Sequence, residues 1–341
     1  MHAKVKIRAM HTTFLSILQQ YTHLGIPEQI DYKKFYLYSL ITHSTAIEGS
    51  TVTEIENQLL FDQGITAPGR TLAEQMMNLD LKRAYEQGQA LADNHADYTI
   101  SMLCNLSATL MQHTGSTYNT PLGSFSSAAG ELRLLNVTAG YGGRSYMAFA
   151  KVPKALQDFC AWLNAERKKI ATTDILSAYR LSFLAHYRLV TIHPWADGNG
   201  RMARLVMNML QWEYNLIPVK VLNEQKATYI QSLIDTREQE DESIFSNTMF
   251  AIHQKNLSDE IAAFCASTQS DVSQNVSQNV SQKALSERQS QIRQMVIDNS
   301  SISAQAIAHA LGVNVRTIYR DLKQLNIHWI GSPKSGHWEL I

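Results

Sequence analysis

Hydrophobic residues recur at mixed three- and four-residue spacings through most of the first two-thirds of the chain, the spacing of an amphipathic helix. The pattern is clear over 31–47, where Leu40 and Ile41 follow Leu37 by three and four residues and Gly49 marks an end. It predicts further helices over 72–92, 99–112, 153–165, 174–190 (capped by Asp174) and 202–216. We therefore expect a mainly α protein.

The pattern changes between about 120 and 150, where glycines surround the β-prone run 134–138. Glycine clusters between periodic segments indicate turns and loops. We expect a loop and a short hairpin here. The glycines are Gly123, Gly130, Gly140, Gly142 and Gly143.

Residues 267–284 carry almost no charge or bulk and contain a tetrapeptide repeat, Val-Ser-Gln-Asn and a close variant, at 272–283. Such a segment has too little apolar surface to fold alone, so we interpret it as a linker. One valine every four residues is also compatible with a strand or with one face of a helix.

The chain beyond the repeat predicts three short helices, over 285–298, 303–311 (capped by Ser303) and 315–325 (capped by Asn314). Two apolar segments, at 329–330 and 338–341, flank a turn at 332–336. Three helices followed by a hairpin are typical of a winged helix-turn-helix.

Composition and charge exclude some classes of protein. The 341 residues are 45% hydrophobic and 18% charged, and the formal net charge is zero, so no chain-wide field favours nucleic acid or an anionic membrane. The N-terminus has no apolar targeting segment, and no run reaches the ~20 apolar residues of a membrane span. The three cysteines fit no metal or disulfide spacing. We expect a cytoplasmic protein.

The segment His193-Pro-Trp-Ala-Asp197-Gly-Asn-Gly-Arg201-Met-Ala-Arg204 concentrates phosphate chemistry within twelve residues. Its glycines lead into a helix whose N-terminal N–H groups suit an anion, and Asp197 offers a hard oxygen to Mg²⁺. Arg201 and Arg204, three residues apart, share a helix face and can hold further phosphates. His193 is a candidate base. A reaction at a nucleotide phosphate is the prediction.

This segment resembles the Fic motif, His-x-Phe-x-(Asp/Glu)-Gly-Asn-Gly-(Lys/Arg)-x-x-Arg, with Trp195 in place of Phe. The resemblance covers about 31–257 and implies a Fic-fold helical bundle with a small β-hairpin flap. It implies AMP transfer from ATP to a hydroxyl of Ser, Thr or Tyr, in a target protein or in the chain itself. The related Doc kinases depart from the motif at the position of Gly200, so glycine there favours adenylylation.

The resemblance also assigns roles. His193 would deprotonate the acceptor hydroxyl, and Asp197 would hold Mg²⁺ or Mn²⁺. Gly198, Asn199 and Gly200 would cradle phosphates, and Arg201 and Arg204 would engage the outer ones.

Other segments fit the same family. Gly130-Glu-Leu-Arg133 resembles the start of the Fic flap, which positions a target by strand addition. We expect the hairpin within 139–150, with Tyr141 and Tyr146 as candidates for target contact. Tyr229 either borders the adenine or is a core residue.

Ser44-Thr-Ala-Ile-Glu48-Gly49 resembles the inhibitory motif (Ser/Thr)-x-x-x-Glu-(Gly/Asn) of Fic proteins whose brake precedes the catalytic core (class II). The resemblance implies that Glu48 pairs with Arg204 and leaves ATP in an unproductive pose. It also implies that reversal, deAMPylation, is open to the enzyme. Taken alone, the segment is equally an exposed helix end.

The C-terminal helix-turn-helix offers residues that can meet phosphates or base edges of DNA. Residues 286–341 carry six Lys or Arg and four Asp or Glu, a weak net charge of +2, so either DNA or protein binding fits. The candidate DNA contacts are Arg316, Thr317, Tyr319, Arg320 and Lys323.

Four regions follow: an N-terminal helical region with the inhibitory helix (1–110), a Fic catalytic core (111–266), the linker (267–284) and the winged helix-turn-helix (285–341). An alternative function is a DNA-binding transcriptional regulator whose Fic domain mainly senses nucleotide. The apolar N-terminal helices leave room for a homodimer interface.

Overall fold

The computed structural model describes residues 2–139, 143–325, 327–330 and 337–340, and in these ranges helices predominate. The chain divides into two compact units, 1–261 and 262–341. The first holds α1 (His2–His23), α2 (Tyr32–Ile47), α3 (Glu54–Gln63), α4 (Leu72–Asp93), α5 (Ile100–Met111), β1 (Thr117–Thr120), β2 (Gly123–Ser126), α6 (Val152–Arg167), α7 (Ile175–Ile192), α8 (Asn199–Glu213), α9 (Lys226–Gln239) and the start of α10 (Glu242–Asp298). The second holds the rest of α10, α11 (Ala304–Ala310), α12 (Val315–Gln324), β3 (Ile327–Ile330) and β4 (His337–Leu340). The expected mainly α fold is confirmed.

Several helix starts follow from the sequence. The Thr53 and Thr71 side chains cap α3 and α4, each in a reciprocal capping box with the Glu three residues on. Asp174 caps α7 as predicted, accepting a hydrogen bond from Ser177 N at 3.1 Å. Helix α8 begins and ends three residues earlier than the periodicity predicted, because Gly198 turns the chain into it at φ 80°.

Helix α8 is the centre of the first unit. It packs on α4, α5 and α7, and nearly every residue from Asn199 to Gln211 is buried. Helix α4 comes closest at Gly88, where a Cβ would lie 2.9 Å from a Leu205 methyl group. A helix buried on all sides is rigid, which favours a site built at its N-terminus.

The first unit has a hairpin ahead of the one that the sequence predicts. Strands β1 and β2 pair antiparallel over 117–126, a polar segment for which the sequence predicted only loop, and the Tyr118 and Phe125 rings stack across the pair. Within the described part of the predicted flap, the antiparallel bridge Thr138–Ser145 is flanked by two backbone hydrogen bonds, from Ala139 N to Arg144 O at 3.1 Å and from Tyr146 N to Val137 O at 3.0 Å. Gly140, Tyr141 and Gly142 lie outside the described residues.

The repeat 267–284 is helical, as part of the 57-residue α10. Of the conformations left open for it, the helix is the one adopted, and its role as a linker stays a prediction. The boundary between the predicted N-terminal region and catalytic core, at 110/111, falls inside the single compact unit 1–261 and also stays a prediction.

The second unit is a winged helix-turn-helix. Ser303 caps α11 as predicted, and β3 pairs antiparallel with β4. Trp338 anchors the hairpin: its ring lies 5.0 Å from that of Trp329, and its indole N–H donates to Ile302 O at 2.7 Å. The predicted turn at 332–336 lies outside the described residues.

Of the candidate DNA contacts on α12, Tyr319 is 55% exposed and Thr317 is half-buried. The side chains of Arg316, Arg320 and Lys323 lie outside the described part of the chain. Their contact with DNA stays a prediction.

Among the described residues, no helix has both the length and the apolar character needed to cross a membrane.

Candidate active site

His193 is fixed by the backbone at the end of α7. It adopts a left-handed conformation, φ 53°, in which its Nδ1 lies 3.2 Å from Val190 O. A carbonyl accepts only, so we assign the proton to Nδ1, and Nε2 keeps its lone pair. Burial lowers the pKa of His193 to about 4. The imidazole is therefore neutral at physiological pH and has the protonation state of a base.

The turn after His193 is locked by Trp195 and Asn199. The Trp195 ring is fully buried and its indole N–H donates to Gly130 O at 3.0 Å. The Asn199 amide bonds the Trp195 backbone in both directions, accepting from N at 3.1 Å and donating to O at 2.9 Å. Because this side chain is engaged in the turn, Asn199 offers a phosphate chiefly its backbone N–H.

The N-terminus of α8 is built for close approach. A Cβ at Gly198 would lie 2.8 Å from Met111 Sδ, so no other residue fits there without a shift. The first-turn N–H groups and the helix dipole favour an anion. Asp197, immediately before, accepts a hydrogen bond from Gly198 N at 2.6 Å, and its side chain is 58% exposed.

Arg201 carries unsatisfied hydrogen-bonding capacity. Its side chain is only 2% exposed; Nη2 lies 3.3 Å from Met111 Sδ and 3.6 Å from Asp197 Oδ2. Nε and Nη1 are buried and have no hydrogen-bond partner among the described residues. A buried, unpartnered guanidinium edge is costly unless a ligand completes it, and its donor geometry suits phosphate.

Arg204, by contrast, is fully engaged by the N-terminal helices. Nε donates to Ser44 Oγ at 2.8 Å, and Nη2 donates to Ser44 O at 2.9 Å and to Glu48 Oε1 at 2.6 Å. Nη1 lies 3.3 Å from Tyr229 Oη. The predicted pairing of Glu48 with Arg204 is thus present as an ion pair.

Charge and burial act together on this pair. Burial alone would raise the pKa of Glu48, but Arg204 and, less strongly, Arg201 hold it below its usual value. Burial alone would lower the pKa of Arg204, but Tyr229 and Glu48 raise it above its usual value. Both groups are therefore charged at neutral pH.

Tyr229 is buried to 1% exposure, as in the core interpretation of this residue. Its hydroxyl lies 2.9 Å from His186 Nε2 and 3.3 Å from Arg204 Nη1. Because a guanidinium can only donate, the hydroxyl accepts a hydrogen bond from Arg204 and donates one to Nε2 of His186. Burial lowers the pKa of His186 well below its usual value, so this nitrogen is free of a proton and can accept. Tyr229 thus contacts Nη1 of Arg204, whereas Glu48 contacts Nη2.

One sequence segment contains the turn, the helix N-terminus and both arginines, and this segment matches a known protein family. Residues 97–211 match the Fic/DOC family. Residues 288–327 match an HTH domain. The chain therefore contains a Fic/DOC domain and a helix-turn-helix domain.

Curated relatives extend the match. The chain is 27% identical over 202 residues to protein adenylyltransferase fic-1 of Caenorhabditis elegans, covering 58% of this chain and 36% of that protein. It is 30% identical over 203 residues to protein adenylyltransferase Fic of Drosophila erecta, covering 59% and 37%. The match thus spans about a third of the length of these relatives.

Solved structures share the fold. A Fic domain containing signaling protein from Bacteroides thetaiotaomicron superposes with a TM-score of 0.61 at 23% identity, covering 74% of this chain and 97% of that one. A Fic family protein from Desulfovibrio desulfuricans covers 98% of this chain and 95% of its own, with a TM-score of 0.59 at 20% identity.

Two residues contact His193 in ways that the sequence did not predict. Arg133 is 1% exposed, and its Nε donates to His193 O at 2.7 Å. The ring of Tyr146 stacks on the His193 imidazole with centroids 3.7 Å apart, and its contact with a target stays a prediction. The segment Gly130-Glu-Leu-Arg133 was the signal for Arg133; for Tyr146 the sequence carries no signal beyond its place in the predicted flap.

Proposed function

We propose that the protein transfers AMP from ATP to a hydroxyl side chain of a target protein or of itself. The observation that carries the proposal is Arg201: two of its buried guanidinium nitrogens have no hydrogen-bond partner in the part of the chain that the structure describes, and they lie beside a helix N-terminus, a few residues from a neutral, positioned histidine. The adenylyltransferase relatives support the same chemistry at the level of the family.

In the proposed reaction, Nε2 of His193 takes the proton of the acceptor hydroxyl. The oxygen then bonds to the α-phosphorus while the bond from phosphorus to the bridging oxygen breaks, and pyrophosphate leaves with the negative charge. Arg201 and the N–H groups of α8 stabilise that charge, which is the main task in phosphoryl-type transfer. Arg204 contributes once it is released from Glu48.

Mg²⁺ or Mn²⁺ fits Asp197, whose exposed carboxylate lies beside the phosphate-binding helix end. Among the described residues, no group of three or more His, Cys, Asp or Glu side chains is arranged to hold a metal alone. A cation here would be bound by Asp197 together with oxygens of the substrate phosphates, as Mg²⁺ commonly is, and would neutralise the phosphate charge.

We further propose that Glu48 is a brake. Its carboxylate accepts a hydrogen bond from Arg204 and lies over the first turn of α8, where a Cβ on Gly200 would be only 2.6 Å from Oε1. A γ-phosphate cannot share that position with a carboxylate, because the two negative charges repel. ATP would then bind out of line for transfer. DeAMPylation, in which Glu48 would activate water, stays a prediction, as does a homodimer.

The deciding experiment is incorporation of labelled AMP from ATP with Mg²⁺ or Mn²⁺, followed by mass spectrometry of the modified residues. Glu48→Gly should incorporate more label than the wild type, and Glu48→Gly/His193→Ala should incorporate none. Label that persists in the double variant would refute transfer at this site. Equal labelling by wild type and Glu48→Gly at saturating Mg-ATP would refute the brake but not the transfer.

A second candidate function, DNA binding by residues 262–341, is favoured by the match of 288–327 to an HTH domain. Salt-dependent retardation of DNA should be lost on Arg316→Ala/Arg320→Ala and kept on the control Gln305→Ala, which changes an exposed residue of α11. Retardation unchanged by the arginine substitutions would reject these contacts. Nucleotide sensing with little transfer would give DNA binding that responds to ATP while label incorporation stays absent in Glu48→Gly.

A further inference from the structure

The aromatic ring of Tyr146 covers one face of the His193 imidazole. The two ring centroids are 3.7 Å apart and the planes differ by 21°. Stacking of this kind removes water from the covered face and restricts rotation of the smaller ring. The Tyr146 ring therefore contacts the group proposed as the base, although Tyr146 lies outside the 193–204 segment.

Tyr146 is itself held from helix α9. Arg237, in the last turn of α9, donates a hydrogen bond to Ser145 O, and its guanidinium carbon lies 5.5 Å from the Tyr146 ring centroid. The first contact fixes the backbone next to the tyrosine, and the second is a cation–π contact on its ring. Arg237 thus contacts both the tyrosine ring and the backbone beside it.

Arg133 holds the same loop from the other side. Its guanidinium donates to Leu135 O at 2.7 Å and to Met147 O, which joins the two ends of the loop segment. Its Nε donates to His193 O, and its backbone N donates to Pro194 O at 3.1 Å. The loop that carries Tyr146 and the turn that carries His193 are therefore one hydrogen-bonded assembly.

We propose that Tyr146, held by Arg237, is a positioning residue for His193. The stacked ring keeps the imidazole in the plane in which Nδ1–H bonds Val190 O, so that the Nε2 lone pair keeps one direction towards the acceptor hydroxyl. The inference rests on the proposed function, because it takes His193 as the base. The charged groups that act on the imidazole are Arg133, Asp197 and Glu48.

The first test is structural and independent of activity. The tautomer of His193 is read at pH 7 from imidazole ¹H–¹⁵N correlation spectra of the full chain, assigned by the signals lost in His193→Ala. Wild type, Tyr146→Phe and the matched loop control Arg144→Ala, which changes an exposed side chain, should all show the Nδ1–H form. Tyr146→Leu should show a mixture of tautomers, and Arg237→Ala should fall between.

The second test is kinetic, in the Glu48→Gly background. Tyr146→Leu should lower kcat for AMP transfer at least about tenfold, a modest share of what a positioned base contributes. KM for ATP should stay within about twofold, because the ring contacts the base and not the phosphate-binding arginines. Tyr146→Phe should retain kcat within about twofold.

Three results would overturn the proposal: an unchanged tautomer in Tyr146→Leu, a kcat that rises in that variant, or a Tyr146→Phe that behaves like Tyr146→Leu. A rising kcat would mean that the ring obstructs the base, and the last would mean that the hydroxyl and not the ring acts. If no variant transfers AMP at all, the proposed function fails, and the tautomer measurement still decides the role of Tyr146. Arg237→Ala keeps the test open if Tyr146→Leu does not fold.

Discussion

Oε1 of Glu48 lies 2.6 Å from Nη2 of Arg204, although 156 positions separate the two residues in the chain. The same oxygen would lie 2.6 Å from a Cβ on Gly200. One carboxylate atom therefore both neutralises the arginine and fills the space over the first turn of α8. An anion bound at that helix end competes with Glu48 for position and for charge.

Ser44 contributes to the same contact and should share in its effect. Ser44→Ala removes the acceptor of the Arg204 Nε hydrogen bond, which weakens the inhibited arrangement by ~1 kcal/mol and should raise AMP incorporation roughly fivefold. Added to Glu48→Gly, it should raise incorporation no further, because the two act as a unit. Ser39→Ala, on the same helix but bonded to Glu54, is the matched control. Additive effects would show that Ser44 acts separately.

We expect Arg201 to contribute to ATP binding and not to the stability of the free protein. Two nitrogens of its buried guanidinium have no hydrogen-bond partner within the described ranges, so Arg201→Met should leave the Tm of the free protein unchanged or raise it. Kd for Mg-ATP should rise at least about tenfold, since a charge-assisted contact to phosphate is worth ~1.5–3 kcal/mol. Thermal unfolding and calorimetric titration measure the two quantities. A large loss of Tm without ATP would show that the arginine is structural.

The rate should be insensitive to pH across the physiological range. Burial lowers the pKa of His193 to about 4, and a base acts only when neutral, so its active form is fully present above about pH 5.5. The Glu48 carboxylate on its own raises this pKa, so Glu48→Gly moves it further down and keeps the profile flat. The measurement is kcat of Glu48→Gly between pH 5.5 and 8. An inflection near pH 6.5 would show a solvated imidazole.

Sequence predicted the parts of the site that depend on local spacing. The 193–204 segment fixes its own geometry through a glycine turn and a helix start, and α7 is capped by Asp174 where expected. The ion pair of Glu48 with Arg204 was also predicted, through resemblance to the inhibitory motif. The distance and the atoms of this ion pair could not be predicted, because the pair joins two helices that are far apart in the chain.

The rest depends on tertiary packing that spacing does not encode. The sequence predicts a hairpin within 139–150, where the bridge Thr138–Ser145 forms, but it predicts no strands at 117–126, where half of the residues are Thr, Ser or Asn. A four-residue strand with few apolar positions gives no alternating signal. The stacking of Tyr146 on His193 also cannot be predicted from spacing, because it depends on long-range hydrogen bonds from Arg133 to His193 O and from Arg237 to Ser145 O.

His253 predicts how stability depends on pH. It is fully buried beside Tyr179, and burial lowers its pKa to about 3, whereas the unfolded chain protonates near 6.5. Below pH 6.5 the unfolded state binds more protons, so the free energy of unfolding falls with pH, by ~2 kcal/mol between pH 7 and 5 from this residue. Because His253→Gln cannot titrate, it should lose about that much of the pH dependence in urea unfolding, while the exposed-residue control His23→Gln keeps the wild-type dependence. Equal slopes for wild type and His253→Gln would show that water reaches this histidine in the folded state.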